Sequence, residues 1–148
     1  MEVLFYHLER ARLEDVLPRL LEKTLERGWR AIIRGGSQER LDALDSHLWT
    51  YRDDSFLGHG MSTHEQAVRQ PVLLTLGQEN QNSAEVLFVV DQADMEEFQT
   101  YQRAVVIFDG GDEDALTMAR ESWKALKSTD HEATYWRQSS AGKWEKKG

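Results

Sequence analysis

Apolar runs that do not alternate are the feature that most narrows this chain's fold. Residues 72–76, 86–90 and 104–108 read VLLTL, VLFVV and AVVIF. A strand with one wet face alternates apolar and polar residues, whereas a strand buried on both faces does not. Such runs predict the inside of a mainly parallel sheet. Parallel strands need long crossovers, usually helices, and those helices cover the sheet.

The remaining segments supply the covers. Residues 3–8 read as a first strand with two aromatics. Apolar residues at 13, 16, 17, 20, 21 and 25 have helical spacing and predict a helix over 13–27. Pro18 is expected near its first turn, where a missing N–H does no harm, and Gly28 is a natural stop. A strand over 29–34 follows. Gly35, Gly36 and Ser37 then turn the chain into a second helix, with Ser37 as N-cap and Leu41, Leu44 and Leu48 facing inward. Residues 50–70 show no period and are long for a connection, which suggests a functional loop. Residues 94–101 can form a short helix, and 132–138 with 143–147 look like a polar hairpin around 139–142. Together these predict one domain over 1–148. It is an α/β three-layer sandwich with a mainly parallel sheet, helices on both faces and a C-terminal hairpin.

Charge and composition remove several classes of function. The 148 residues carry a formal charge of −8, so direct DNA binding by the whole body is not expected. There are no cysteines, which excludes disulfides and thiolate metal sites and fits a cytoplasmic protein. The N-terminus MEVLFYHLERAR lacks a basic leader followed by an apolar core. No apolar run reaches the roughly 20 residues that span a bilayer, so no membrane association is expected.

Catalytic and cofactor patterns are sparse. A dinucleotide site wants a glycine-rich turn after the first strand, but here that turn reads Leu8, Glu9, Arg10, Ala11, Arg12. The topology is thus Rossmann-like without a phosphate loop, and no cofactor is expected. Gly35, Gly36 and Ser37 could present N–H groups to an anion, but a lone Gly-Gly-Ser is a weak signal, and a plain turn with a serine cap is the simpler explanation. Asp91, Asp109, Asp112 and Asp114 follow two strands and could hold Mg²⁺; capping of turns and helices is the alternative. His59 and His64 with Asp53 and Asp54 match no metal-site spacing. No G-x-S-x-G elbow is present. A Mg²⁺-dependent phosphoryl or small-molecule enzyme stays as the alternative to a non-catalytic protein.

Residues 105–127 hold the most specific signal: buried strand, glycine turn, acidic helix start, cationic helix end. Asp112 is a plausible N-cap, and Glu113 and Asp114 suit the positive end of the helix dipole. At about 100° per residue, Leu116, Arg120, Lys124 and Lys127 fall within about 80° of one another. Ala115, Ala119, Ser122 and Leu126 form the neighbouring, sheet-facing side, with Trp123 on the border. A cationic stripe edged by an indole and a leucine suits an acidic, apolar-ended peptide or a phosphate chain. A solvated face with dipole-compensating lysines is the plainer explanation.

Taken in order, several pieces resemble the chi subunit family of bacterial DNA polymerase III. They are Phe5, Tyr6, His7 and Leu8; Leu20, Leu21, Glu22 and Lys23 leading to Arg27, Gly28, Trp29 and Arg30; and residues 41–60, including Leu48, Trp49, Ser55, Phe56, Leu57, Gly58 and His59. Gln70, Pro71, Val72, Leu73 and Leu74 come next. The last group is Phe108, Asp109 and Gly110 through Ala119, Arg120, Trp123, Lys124, Tyr135 and Trp136. The resemblance implies a non-enzymatic adaptor of the replicative holoenzyme. It would bind the acidic C-terminal tail of single-stranded DNA-binding protein and connect it to the clamp loader. It implies a tail pocket of Arg120, Lys124, Trp123 and Trp49. Leu116 stands where the family often has lysine, which removes one cation. It also implies a second partner surface around Phe56 and Leu57, for the psi subunit where one exists or for a helicase. Gly58 there replaces a common proline.

Overall fold

The computed structural model describes residues 1–9, 11–50, 59–61, 71–139 and 143–147, with the backbone alone at 49–50 and 59–61. In chain order the elements are β1 (Glu2–Leu8), α1 (Leu13–Glu26), β2 (Ala31–Arg34), α2 (Gln38–Thr50), β3 (His59–Met61), β4 (Val72–Thr75) and β5 (Val86–Val89). Then come β6 (Arg103–Asp109), α3 (Glu113–Lys127), β7 (Glu132–Gln138) and β8 (Trp144–Lys146). Among the described residues, the strands join one eight-stranded sheet in the order β3-β4-β2-β5-β6-β1-β7-β8. Every pairing is parallel except β7–β8, the predicted hairpin.

The non-alternating runs sit where their composition demands, with both faces buried. Val72, Leu74, Val86, Phe88, Val105 and Ile107 point to the side covered by α1 and α2. Ile32, Leu73, Leu87, Val89, Ala104 and Val106 point to the side of α3. This is the expected three-layer sandwich. Its helix ends follow local chemistry. Ser37 Oγ accepts from Arg40 N at 3.3 Å. Asp112 Oδ1 accepts from Asp114 N at 3.0 Å and Ala115 N at 3.3 Å. After α1, Gly28 takes φ +78°, and its N–H bonds back to Leu25 O at 2.9 Å, the left-handed stop that a glycine makes easily.

Three local expectations need correction. Pro18 lies inside α1, beyond its first turn. Its missing N–H deprives the Glu14 carbonyl of its helical donor. His47 of α2 supplies one instead: its Nε2 is 2.7 Å from Glu14 O, and since a carbonyl only accepts, the imidazole donates. The proline is tolerated because a neighbouring helix fills the gap.

The second correction is at residues 94–101, where only a 3-10 turn over Phe98–Thr100 forms. Within this segment Glu97 adopts a φ of 60°, a left-handed conformation incompatible with a continuing helix. The fully buried Arg34 donates to Gly77 O at 3.1 Å, Asp94 O at 3.0 Å and Glu96 O at 2.8 Å. One guanidinium thus satisfies carbonyls that a helix would have satisfied internally. The segment still serves as a cover, since Ala93, Met95, Phe98 and Tyr101 pack onto the α3 side of the core.

The third lies within 50–70, read as a loop without regular structure. It contains β3, which extends the sheet edge with His59, Gly60 and Met61 opposite Val72, Leu73 and Leu74. Phe56 and Leu57 lie outside the described residues.

Candidate functional site

Two regions collect the polar residues singled out above. The first is the crevice where the topology switches. β1 leads into α1 on one face and its neighbour β6 leads into α3 on the other, so the chain parts at their carboxyl ends. In open α/β sheets this is the usual ligand position. Here it is an open cleft of about 420 Å³ whose lining includes Glu9, Glu14, Arg40, Asp91, Asp109 and Asp112.

Its side chains answer one another. Arg40 pairs with Asp91 at 3.2 Å and with Glu14 at 3.3 Å, contacts that hold its guanidinium above the ordinary arginine range, with the Asp91 hydrogen bond foremost. Asp109 accepts from Gly111 N at 2.8 Å, and Asp112 is occupied as the α3 cap. Asp94, further along, accepts from Glu96 N at 3.0 Å. The capping explanation therefore accounts for Asp94, Asp109 and Asp112, and Asp91 serves as an ion-pair partner. Among the described residues, no group of three or more His, Cys, Asp or Glu is placed to hold a metal.

The second region is the outer side of α3. Ala115, Ala119 and Leu126 are buried against the sheet, and Ser122, Leu116 and Trp123 are half-buried. Arg120, Lys124 and Lys127 are exposed. The helical spacing placed each of them on the correct side. Trp123 is held edge-on by Phe5, with centroids 5.6 Å apart, and by Tyr135 at 5.7 Å. The Lys127 ammonium lies over its ring, 4.5 Å from the centroid, a cation–π contact. Trp123 is thus a fixed wall and not a free indole.

Within electrostatic reach of Arg120 lies a constellation that sequence reasoning did not assign to the site. His7 and Tyr135 sit on neighbouring strands, with His7 Nδ1 2.6 Å from the Tyr135 hydroxyl. The rings of His7, Phe108 and Tyr135 lie edge to face or tilted, at 5.1 to 6.0 Å. Burial holds His7 below the usual histidine range, with the charges of Arg137 and then Arg120 adding to it and Asp109 opposing. Burial raises the Tyr135 phenol, with Arg120 pulling the other way. Both rings are therefore neutral near pH 7. Glu9 Oε1, 3.6 Å from His7 Nε2, favours the tautomer protonated on Nε2, so the phenol donates to Nδ1. Glu9 is itself paired with Arg137. A Cβ at position 110 would run into the His7 ring, so the glycine after Asp109 is needed for this packing. The signal was present in β1: period two puts Val3, Phe5 and His7 on one face, and a histidine among buried neighbours wants a partner.

Of the sequence-derived site residues, Leu116, Arg120, Trp123 and Lys124 come together on one helix surface. Trp49 is at the end of α2, and its side chain lies outside the described residues.

The fold is shared with solved structures of a DEAD-box protein domain. The C-terminal domain of the DEAD-box protein Dbp5 superposes with a TM-score of 0.61 and 15% identity, covering 91% of this chain and 90% of that one. The S. cerevisiae Dbp5 C-terminal domain bound to Gle1 and IP6 gives 0.54 and 13%, covering 89% and 88%. At such identities the likeness concerns the fold alone. The chain belongs to the family described as DNA polymerase III chi subunit, HolC, which it matches over residues 1–134. It is also 26% identical over 111 residues to the probable DNA polymerase III subunit chi of Rickettsia prowazekii (strain Madrid E), covering 70% of this chain and 67% of that protein. Membership makes it an accessory subunit of the replicative polymerase. Among the described residues no helix is long and apolar enough to cross a membrane.

Proposed function

We propose that this chi-family chain is a non-catalytic adaptor that holds the acidic C-terminal tail of single-stranded DNA-binding protein on the outer side of α3. The observation that carries the reading is the exposed Arg120 and Lys124 beside the half-buried, ring-braced Trp123. Arg120 can grip a carboxylate with two donors. Trp123 and Leu116 form an apolar wall for the tail's last side chain. Bracing lowers the ordering cost that a mobile indole would carry on binding. Trp49 is assigned to the same pocket by the family resemblance. Phe56 and Leu57 are assigned to a separate surface that connects the chain to the clamp loader through a psi subunit, or to a helicase. No cofactor and no nucleotide turnover belong to this reading.

Titration calorimetry with the C-terminal peptide of the organism's own single-stranded DNA-binding protein tests it. Binding is expected at low salt and weakens as ionic strength rises. Arg120→Ala is expected to cost more affinity than Lys127→Ala, because Lys127 is already engaged with the Trp123 ring. Absence of binding by folded protein at low salt overturns the reading.

A further inference from the structure

On the sheet face opposite α3, at the amino ends of the strands, a groove runs between the last turns of α1 and the strands beneath. Its volume is about 220 Å³, and its floor includes Leu4, Val86 and Val105, with Trp29 at one side. Its rim carries Lys23, Arg27 and Arg103. Arg103 is matched by Glu2, at 3.0 Å. Lys23 and Arg27 have no carboxylate partner among the described residues. In a chain with 26 acidic and 18 basic side chains, a slot whose lining holds three basic residues and no acidic one suits an anionic ligand.

We infer that this groove is a second recognition site, for an acidic peptide segment that inserts one bulky apolar side chain. It is independent of the α3 reading. The aromatic arrangement favours a peptide over a nucleic acid. A stacking platform needs an open ring face, but the Arg27 guanidinium covers Trp29 at 3.9 Å, with that of Arg103 at 5.4 Å. Tyr6 is already packed by Trp136 at 6.3 Å and Trp144 at 5.0 Å. What stays open is an aliphatic floor for a side chain and guanidinium and ammonium edges for carboxylates.

The test is an NMR titration of the full ¹⁵N-labelled chain with the blocked peptide N-acetyl-Asp-Asp-Phe-Asp-Asp-amide at low ionic strength. Its amidated end denies it the free carboxylate that the α3 site is proposed to read. Expected are shifts at the amides of Lys23 and Arg27 and at the Trp29 indole, with the α3 amides still. Lys23→Ala with Arg27→Ala, both at exposed positions, should weaken binding about tenfold. Replacing the peptide's phenylalanine by alanine should weaken it by a similar factor. The proposal is overturned if no shifts occur, if they fall on α3, if the alanine peptide binds equally well, or if octathymidylate moves the same groove signals as strongly.

Discussion

The switch-point crevice and the outer side of α3 are built from similar residue types and present opposite states of satisfaction. In the crevice, Arg40 is held by Asp91 and Glu14, and Asp109 and Asp112 are committed to backbone N–H groups. On α3, Arg120 and Lys124 stand exposed beside an indole that the core has fixed in place. A charge already paired in the folded state brings little to a ligand, since the internal contact must be broken first. An exposed cation next to a rigid apolar wall keeps its donors for the partner. The comparison teaches that in the crevice, the usual ligand position of such folds, these polar side chains are committed to internal contacts. In the reading proposed above, the binding chemistry lies instead on the back of a covering helix.

The largest expected effect breaks or confirms that contrast directly. Arg120→Glu should cost about 2 kcal/mol or more of tail-peptide affinity, roughly thirtyfold in Kd. Arg40→Ala in the crevice should leave Kd within about twofold and lower stability by at most about 1 kcal/mol, because the pair is partly exposed. Calorimetry and urea unfolding on both variants decide it; a crevice variant that loses as much affinity as Arg120→Glu ends the distinction.

Asp112 belongs to both regions, lining the crevice and capping α3. Asp112→Ala should destabilise the fold by about 1 kcal/mol, through loss of the cap. Asp112→Asn, still a good cap, should be much milder. Equal losses in thermal melts would mean that the negative charge matters and the cap does not.

The smallest effect concerns pH. His7 lies below its ordinary value of 6.5 when folded, chiefly because it is buried. The unfolded chain therefore binds the proton more readily. The contribution of neutral His7 to stability is full above about pH 6.5 and is lost as pH falls through the lower folded value. Urea midpoints between pH 5 and 8 should show this slope, and His7→Gln should flatten it. An unchanged slope in that variant would shift the dependence to other groups.

Much of this was readable one residue at a time. Non-alternating runs announced buried parallel strands, and helical spacing sorted α3 into its buried, border and exposed residues. Ser37, Gly28 and Asp112 marked helix ends, because capping acts over a few neighbouring residues. What stayed hidden depended on groups far apart in the chain. Arg34 replaced a helix over 94–101 by binding its carbonyls from another strand. His47 rescued the carbonyl that Pro18 orphaned, and β3 gained its pairing from β4, which no local pattern encodes.

The sequence by itself determined the α/β class, the lack of a phosphate loop and the cationic stripe with its bordering tryptophan. These follow from periodicity and composition, and periodicity is a local property. Only the tertiary structure decided that the aspartates of the crevice are spent on internal contacts and that Trp123 is braced by Phe5 and Tyr135. It alone set His7 against the Tyr135 hydroxyl. Those outcomes depend on which side chains the sheet order brings within hydrogen-bond or ring contact. The pairing of β1 with both β6 and β7, more than a hundred residues apart in sequence, makes that choice.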